Sequence, residues 1–212
     1  MKRTLVAFAL TLAVVTGGAQ AAQAYHTGAQ HWGPFMWGGN QQATTRYVYV
    51  MDRTSDANTS TALRQYIGAM QRLWATYPGL PYLVWVDQRS QAGACYNNAG
   101  NFPGNSMILV CNGAQGGPGS AGYSWWRWDG RNHFVGDANV WISPGYSTGH
   151  NYAIACHELG HVIGFTSGGV NGGGHSNNPR SCMYHQVQGP NIGYDGSDVS
   201  ELLGLYYSHF PG

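Results

Sequence analysis

Lysine is almost missing from this chain: Lys2 is the only one in 212 residues. Charged residues of every kind make up 9% of the chain, ten basic against nine acidic, with no run of one sign. Without a basic stripe, binding to nucleic acid or to an anionic membrane is not expected. No apolar run reaches the roughly 20 residues that a membrane helix requires. No CxxC pair occurs, so the usual cysteine arrangement of a structural zinc site is excluded. Between His161 and Asp195 there is no Asp or Glu at all. Neither an internal repeat nor a linker interrupts the sequence, and one domain is the economical expectation.

What is present begins with an export signal. Lys2 and Arg3 precede an apolar run from Leu5 to Val15, and Ala19-Gln20-Ala21 and Ala22-Gln23-Ala24 are two small-x-small cleavage sites. Residues 1–24 therefore read as a signal peptide, residues 25–45 as an arm or short pro-segment, and residues 46–212 as the folded domain. Removing the signal leaves eight Arg and no Lys against nine acids. The expected product is secreted, extracellular and monomeric. All four cysteines, Cys95, Cys111, Cys156 and Cys182, lie in the exported part, and an even count there favours disulfides. Cys95 with Cys111 would close a short Asn/Gly-rich loop.

Periodicity supplies the elements. Tyr47–Met51, Leu83–Val86, Met107–Val110 and Ala138–Ile142 read as strands. Leu63, Tyr66, Ile67, Met70, Leu73, Trp74 and Tyr77 recur at three and four, an amphipathic helix with Thr59 or Ser60 as its cap. A second helix runs from Ser147 or Thr148 to Gly164, and Asp198 opens a final one in capping-box form with Glu201. The expected fold is α+β. A twisted mixed sheet of about four to five strands carries two long helices, and an irregular Gly-rich part follows and ends in a helix.

The second helix carries His157-Glu158-Leu159-Gly160-His161. Histidines four apart project from nearly one face of a helix, so two imidazoles can reach one ion at about 2.0–2.1 Å. Glu158 is offset by roughly 100° and can hold a water instead, where a general base belongs. A bare match of this kind also suits two core histidines satisfied by hydrogen bonds. Here a second motif follows, Ser181-Cys182-Met183-Tyr184.

Together, His157-Glu158-Leu159-Gly160-His161-Val162-Ile163-Gly164 and Ser181-Cys182-Met183-Tyr184 resemble the metzincin clan of zinc endopeptidases, in particular its matrixin-like branch. The resemblance implies a zincin-like fold in which Gly164 turns the chain off the active-site helix and Met183 forms a turn beneath a zinc ion. Met183 and Tyr184 would then support the site, and Cys156 and Cys182, each beside a site residue, could be bridged. Tyr184 is also a candidate oxyanion donor by position. No Cys precedes Cys95, so a cysteine-bearing inhibitory segment is not expected, and no Asp-rich loop suggests calcium.

Hydrolytic zinc needs three protein ligands and an open position. The family's usual third position falls on Ser167, a poor ligand, and no carboxylate is near; His175 and His185 remain. The run from Gly174-His175-Ser176 to Met183 resembles the family's, which favours His175. Thr166–Gly173 then reads as an eight-residue insertion, half of it glycine. The implied function is a zinc-dependent endopeptidase whose protein or peptide substrate adds a strand to a sheet edge in the Gly113–His133 region, with Glu158 as general base to a zinc-activated water. Two rivals stand beside it: a zinc hydrolase for a non-protein substrate, and a Trp/Tyr-rich carbohydrate-binding or adhesion module with a vestigial site. Trp125, Trp126 and Trp128 would be subsite walls or core aromatics.

Overall fold

The computed structural model describes residues 22–25, 47–78, 80–92, 107–113, 120–128, 135–165, 176, 178–184, 186–187, 189 and 193–208. In chain order the elements are β1 (Ala22–Tyr25), β2 (Tyr47–Arg53), α1 (Ala57–Thr76), β3 (Tyr82–Asp87), β4 (Met107–Asn112), β5 (Ser120–Trp128), β6 (Val135–Ile142), α2 (Thr148–Ile163), β7 (Gln186–Val187) and α3 (Gly196–Ser208). The strands form one sheet in the order β3-β2-β4-β6-β5-β1-β7. β3, β2, β4 and β6 run parallel, and β5 returns antiparallel to β6. Mixed α/β architecture with a sheet of five central strands agrees with expectation.

Two short strands were not anticipated. β1 pairs parallel with β5 and antiparallel with β7. It spans the boundary drawn at residue 24, in a stretch whose small residues carry no strand pattern. β7 has only two residues, too few for any periodicity. β5 lies in the Gly113–His133 region where a sheet edge is expected, but it carries no clear strand alternation, since three of its last four residues are tryptophans.

Period-two alternation explains how the sheet faces the helices. Val48 and Val50 of β2 are buried, while Tyr47 and Tyr49, which alternate with them, are exposed. Val48, Val50, Ile108, Val110, Ala138, Val140 and Ile142 join Leu63, Tyr66, Ile67 and Met70 of α1 and Ala153, Ile154, Leu159 and Val162 of α2 in one core. α2 thus lies against the sheet with its middle enclosed. No helix among the described residues is long and apolar enough to cross a membrane.

Two helix starts differ from the sequence reading. α1 is capped by Asp56, whose carboxylate accepts from Asn58 N and Thr59 N, while Thr59 and Ser60 are buried in the first turn. α3 begins after Asp195 rather than at Asp198. Asp195 Oδ1 accepts from Ser197 N and Asp198 N, and Asp198 Oδ2 accepts in return from Asp195 N at 2.8 Å. That reciprocal pair is a capping box three residues upstream of the expected one. An acid at the first free position wins because it reaches two orphan backbone donors at once.

Candidate active site

Everything at the centre is set by how α2 ends. Ser147 caps its start, and at its close Gly164 adopts φ of +133°, a left-handed conformation that an L side chain would strain. Gly164 N and Phe165 N both donate to Gly160 O, so the chain folds back over the last turn. That brings Phe165 O to 2.9 Å from His161 Nδ1. One turn earlier, His157 Nδ1 lies 2.6 Å from Cys182 O.

A carbonyl oxygen only accepts, so each Nδ1 carries its ring's proton and each Nε2 presents a lone pair. The two Nε2 atoms stand 3.1 Å apart, with the rings at 87°. Two lone pairs at that separation repel unless a cation or a proton lies between them. Two nitrogens on one tetrahedral zinc would be about 3.3 Å apart, given bonds of about 2.0–2.1 Å. Both rings are essentially fully buried, and carbonyl partners fix tautomer and orientation as they do in metal centres.

Glu158 is also fully buried, and neither carboxylate oxygen has a hydrogen-bond partner among the described residues. Burial pushes its pKa from 4.5 up to about 8; Ser124 pulls the value back a little. The Ser124 contact is polar but falls short of a formed hydrogen bond, since Ser124 Oγ is itself unpartnered. A buried carboxylate left so poorly solvated is costly. It makes sense beside a positive ion and a water. The donor set and this orphaned acid therefore fit a zinc ion.

The chain after the helix is fastened under it. Ser181 Oγ accepts from Met183 N and donates to Asp198 Oδ2, Cys182 N donates to Gly193 O, and Ser176 N donates to Met183 O. Met183 packs against Gly160, where a Cβ would collide with its sulfur. Cys156 and Cys182 form a disulfide with Cα atoms 5.9 Å apart. The residues preceding His157 and Met183 are thus covalently joined, and Tyr194 OH adds a hydrogen bond to Cys156 O.

Of the residues singled out by sequence, His157, Glu158, His161, Gly164, Met183, Tyr184, Cys156 and Cys182 come together here. His175, His185 and Cys95 lie outside the described residues, while Cys111 on β4 is disulfide-bonded. Among the described residues no group of three or more His, Cys, Asp or Glu is disposed to hold a metal. Ser176, next to His175, forms a parallel bridge with Tyr184. The outer edge of β5, expected to be open, is paired with β1. Trp125 on that strand is half-buried, and the side chains of Trp126 and Trp128 lie outside the described residues.

Sequence reasoning missed Gly122, Ser124 and Tyr194. Gly122 and Ser124 alternate on the face of β5 toward α2, and a Cβ at Gly122 would come within 2.7 Å of Glu158 Oε1. A Gly-x-Ser pair has no signature in a Gly-rich stretch, and only the register opposite Ile142 and Val140 reveals it.

No protein-family model matches the chain, and no curated protein sequence does. Among solved structures it is similar to metalloproteinase-II from Bacteroides fragilis, with a TM-score of 0.50 and 14% sequence identity. The match covers 88% of this chain and 57% of that one, so this chain spans little more than half its length. The fold of the chain is metalloproteinase-like.

Proposed function

We propose that this chain is a secreted, monomeric zinc-dependent endopeptidase of the metzincin clan, matrixin-like in its motifs. The observation that carries the reading is the pair of buried imidazoles whose Nε2 lone pairs converge at 3.1 Å beside an unpartnered Glu158. The metalloproteinase-like fold supports it. His157 and His161 would hold the ion, with His175 as third ligand. In support of His175, its neighbour Ser176 is hydrogen-bonded to the turn whose Cys182 carbonyl orients His157.

When bound, zinc lowers the pKa of a water toward about 7 and polarises a carbonyl. The chain's own contribution is proton movement and alignment. Glu158 takes the proton from the attacking water onto a carboxylate oxygen and passes it to the leaving amine. Substrate would pair along β5 in the place that β1 takes. Cleavage of the signal after Ala24 would remove three of the four β1 residues and open that edge.

The test is cleavage of a peptide library by the secreted protein with and without chelator, alongside metal analysis. Chelator-sensitive cleavage, lost in Glu158→Ala while zinc is retained, is the expected result. Zinc binding without cleavage of any peptide bond would exclude the endopeptidase reading.

A further inference from the structure

We propose that Ser124 is the positioning residue for Glu158: its hydroxyl donates to the carboxylate and, with the bare backbone of Gly122, sets the orientation in which one oxygen faces the histidine pair. This rests on Glu158 being the general base.

Three observations converge. On β5, Gly122 and Ser124 lie on one face two residues apart, paired with Ile142 and Val140 of β6. At Gly122 the absence of a side chain is required, since a Cβ would lie 2.7 Å from both Cγ and Oε1 of Glu158 and 2.8 Å from Ile154. The carboxylate is therefore pressed against the strand on one side. At Ser124, 1% exposed, a hydroxyl stands where the neighbouring positions of β6 are apolar, and it has no formed hydrogen bond. Packing alone does not call for a hydroxyl there. A buried hydroxyl without a partner destabilises, so alanine would serve the core better. Glu158, which lies against Gly122 on the same face of the strand and whose carboxyl pKa Ser124 holds down, likewise lacks a formed hydrogen bond among the described residues.

The chemical sense is a division of labour within one carboxylate. An oxygen that accepts from Ser124 is held away from the water, and the other is left to take its proton. A serine hydroxyl can rotate, so it keeps its bond while the carboxylate alternates between charged and protonated forms. Ser124 touches neither substrate nor metal in this role.

The experiment compares wild type, S124A, S124T and Glu158→Ala as full secreted proteins on one peptide substrate, recording kcat, KM, zinc content and Tm. S124A is expected to lose about tenfold in kcat through misalignment of the base, with KM changed less than about twofold. Zinc stays stoichiometric and Tm is equal or higher, a combination that a purely structural serine would not give. S124T, which keeps the hydroxyl and suits a strand, recovers most of the rate. Wild-type kcat in S124A overturns the proposal, as does S124T no faster than S124A. Full activity in Glu158→Ala would instead overturn the reading of the base on which this rests, so the two failures are distinguishable.

Discussion

Among the described residues two carboxylates are completely buried, and they are treated in opposite ways. Asp52, at the end of β2, accepts from Thr54 N at 3.0 Å, Thr54 Oγ1 at 2.6 Å, Ser60 Oγ at 2.6 Å and Trp85 Nε1 at 3.2 Å. Glu158, in the middle of α2, accepts no formed hydrogen bond among the described residues. Beside Asp52 a second set of polar groups ties the start of α1 to β4 and α2. Asn112 Oδ1 takes Ser55 N and Asp56 N, and Asn151 Nδ2 gives to Asp56 and Thr59. The difference sets Asp52 in the scaffold and agrees with the role proposed above for Glu158. A satisfied buried acid fastens its surroundings, whereas a starved one marks a functional or strained site.

Exchanging each acid for a neutral residue should separate the two roles. Glu158→Ala is expected to cut peptidase kcat/KM by about 10²–10⁴-fold, the range for a general base, with Tm no lower than wild type. Asp52→Ala strands four donors and should cost about 3 kcal/mol or more in denaturant unfolding, while the folded fraction keeps its kcat. Loss of stability in Glu158→Ala comparable to that in Asp52→Ala would erase the distinction.

The pH dependence sharpens the same contrast in metal-free protein. The folded pKa of Glu158, about 8, stands above its ordinary 4.5. Between those values the folded chain holds a proton that the unfolded chain has released. Stability of the chelated protein should therefore fall as pH rises from about 4.5 to 8, by up to about 1.4 kcal/mol per unit from this group, and level off above. Urea unfolding at pH 5 and pH 8 measures it. Glu158→Gln should remove that slope, and a slope that survives in this variant would refute the assignment.

The two halves were also unequally legible in the sequence. The scaffold strands and both long helices follow from periods of two and about 3.6, which are local and strong here. His157, Glu158 and His161 share one helical turn, and the Cys156–Cys182 pairing followed from a resemblance that set both cysteines beside the site. What crosses between elements could not be read. Asp52 and its donors are scattered from Asp52 to Trp85, and Ser124 meets Glu158 only through the antiparallel register of β5 on β6. A cap is local, yet the sequence does not single out Asp56, because four capping-competent residues, Asp56, Asn58, Thr59 and Ser60, stand within five positions and only the fold decides among them.

The smallest expected effect concerns the strand beside that register. β1 pairs parallel with β5, with Ala24 opposite Gly122, the residue pressed against Glu158. An extended substrate and β1 cannot hold the same edge hydrogen bonds at once. A chain beginning at Ala22, the product of cleavage after Ala21, keeps all of β1, while one beginning at Tyr25 keeps a single residue of it. The tether makes β1 an intramolecular competitor, but a four-residue strand is a weak one. The longer form should show KM raised by about two- to fivefold and kcat unchanged. Peptide kinetics on the two forms, each verified by N-terminal sequencing, would decide it. Equal KM values would mean that peptide binding does not use the edge that β1 covers, and the contrast between a closed scaffold and an open site would then stop at Glu158.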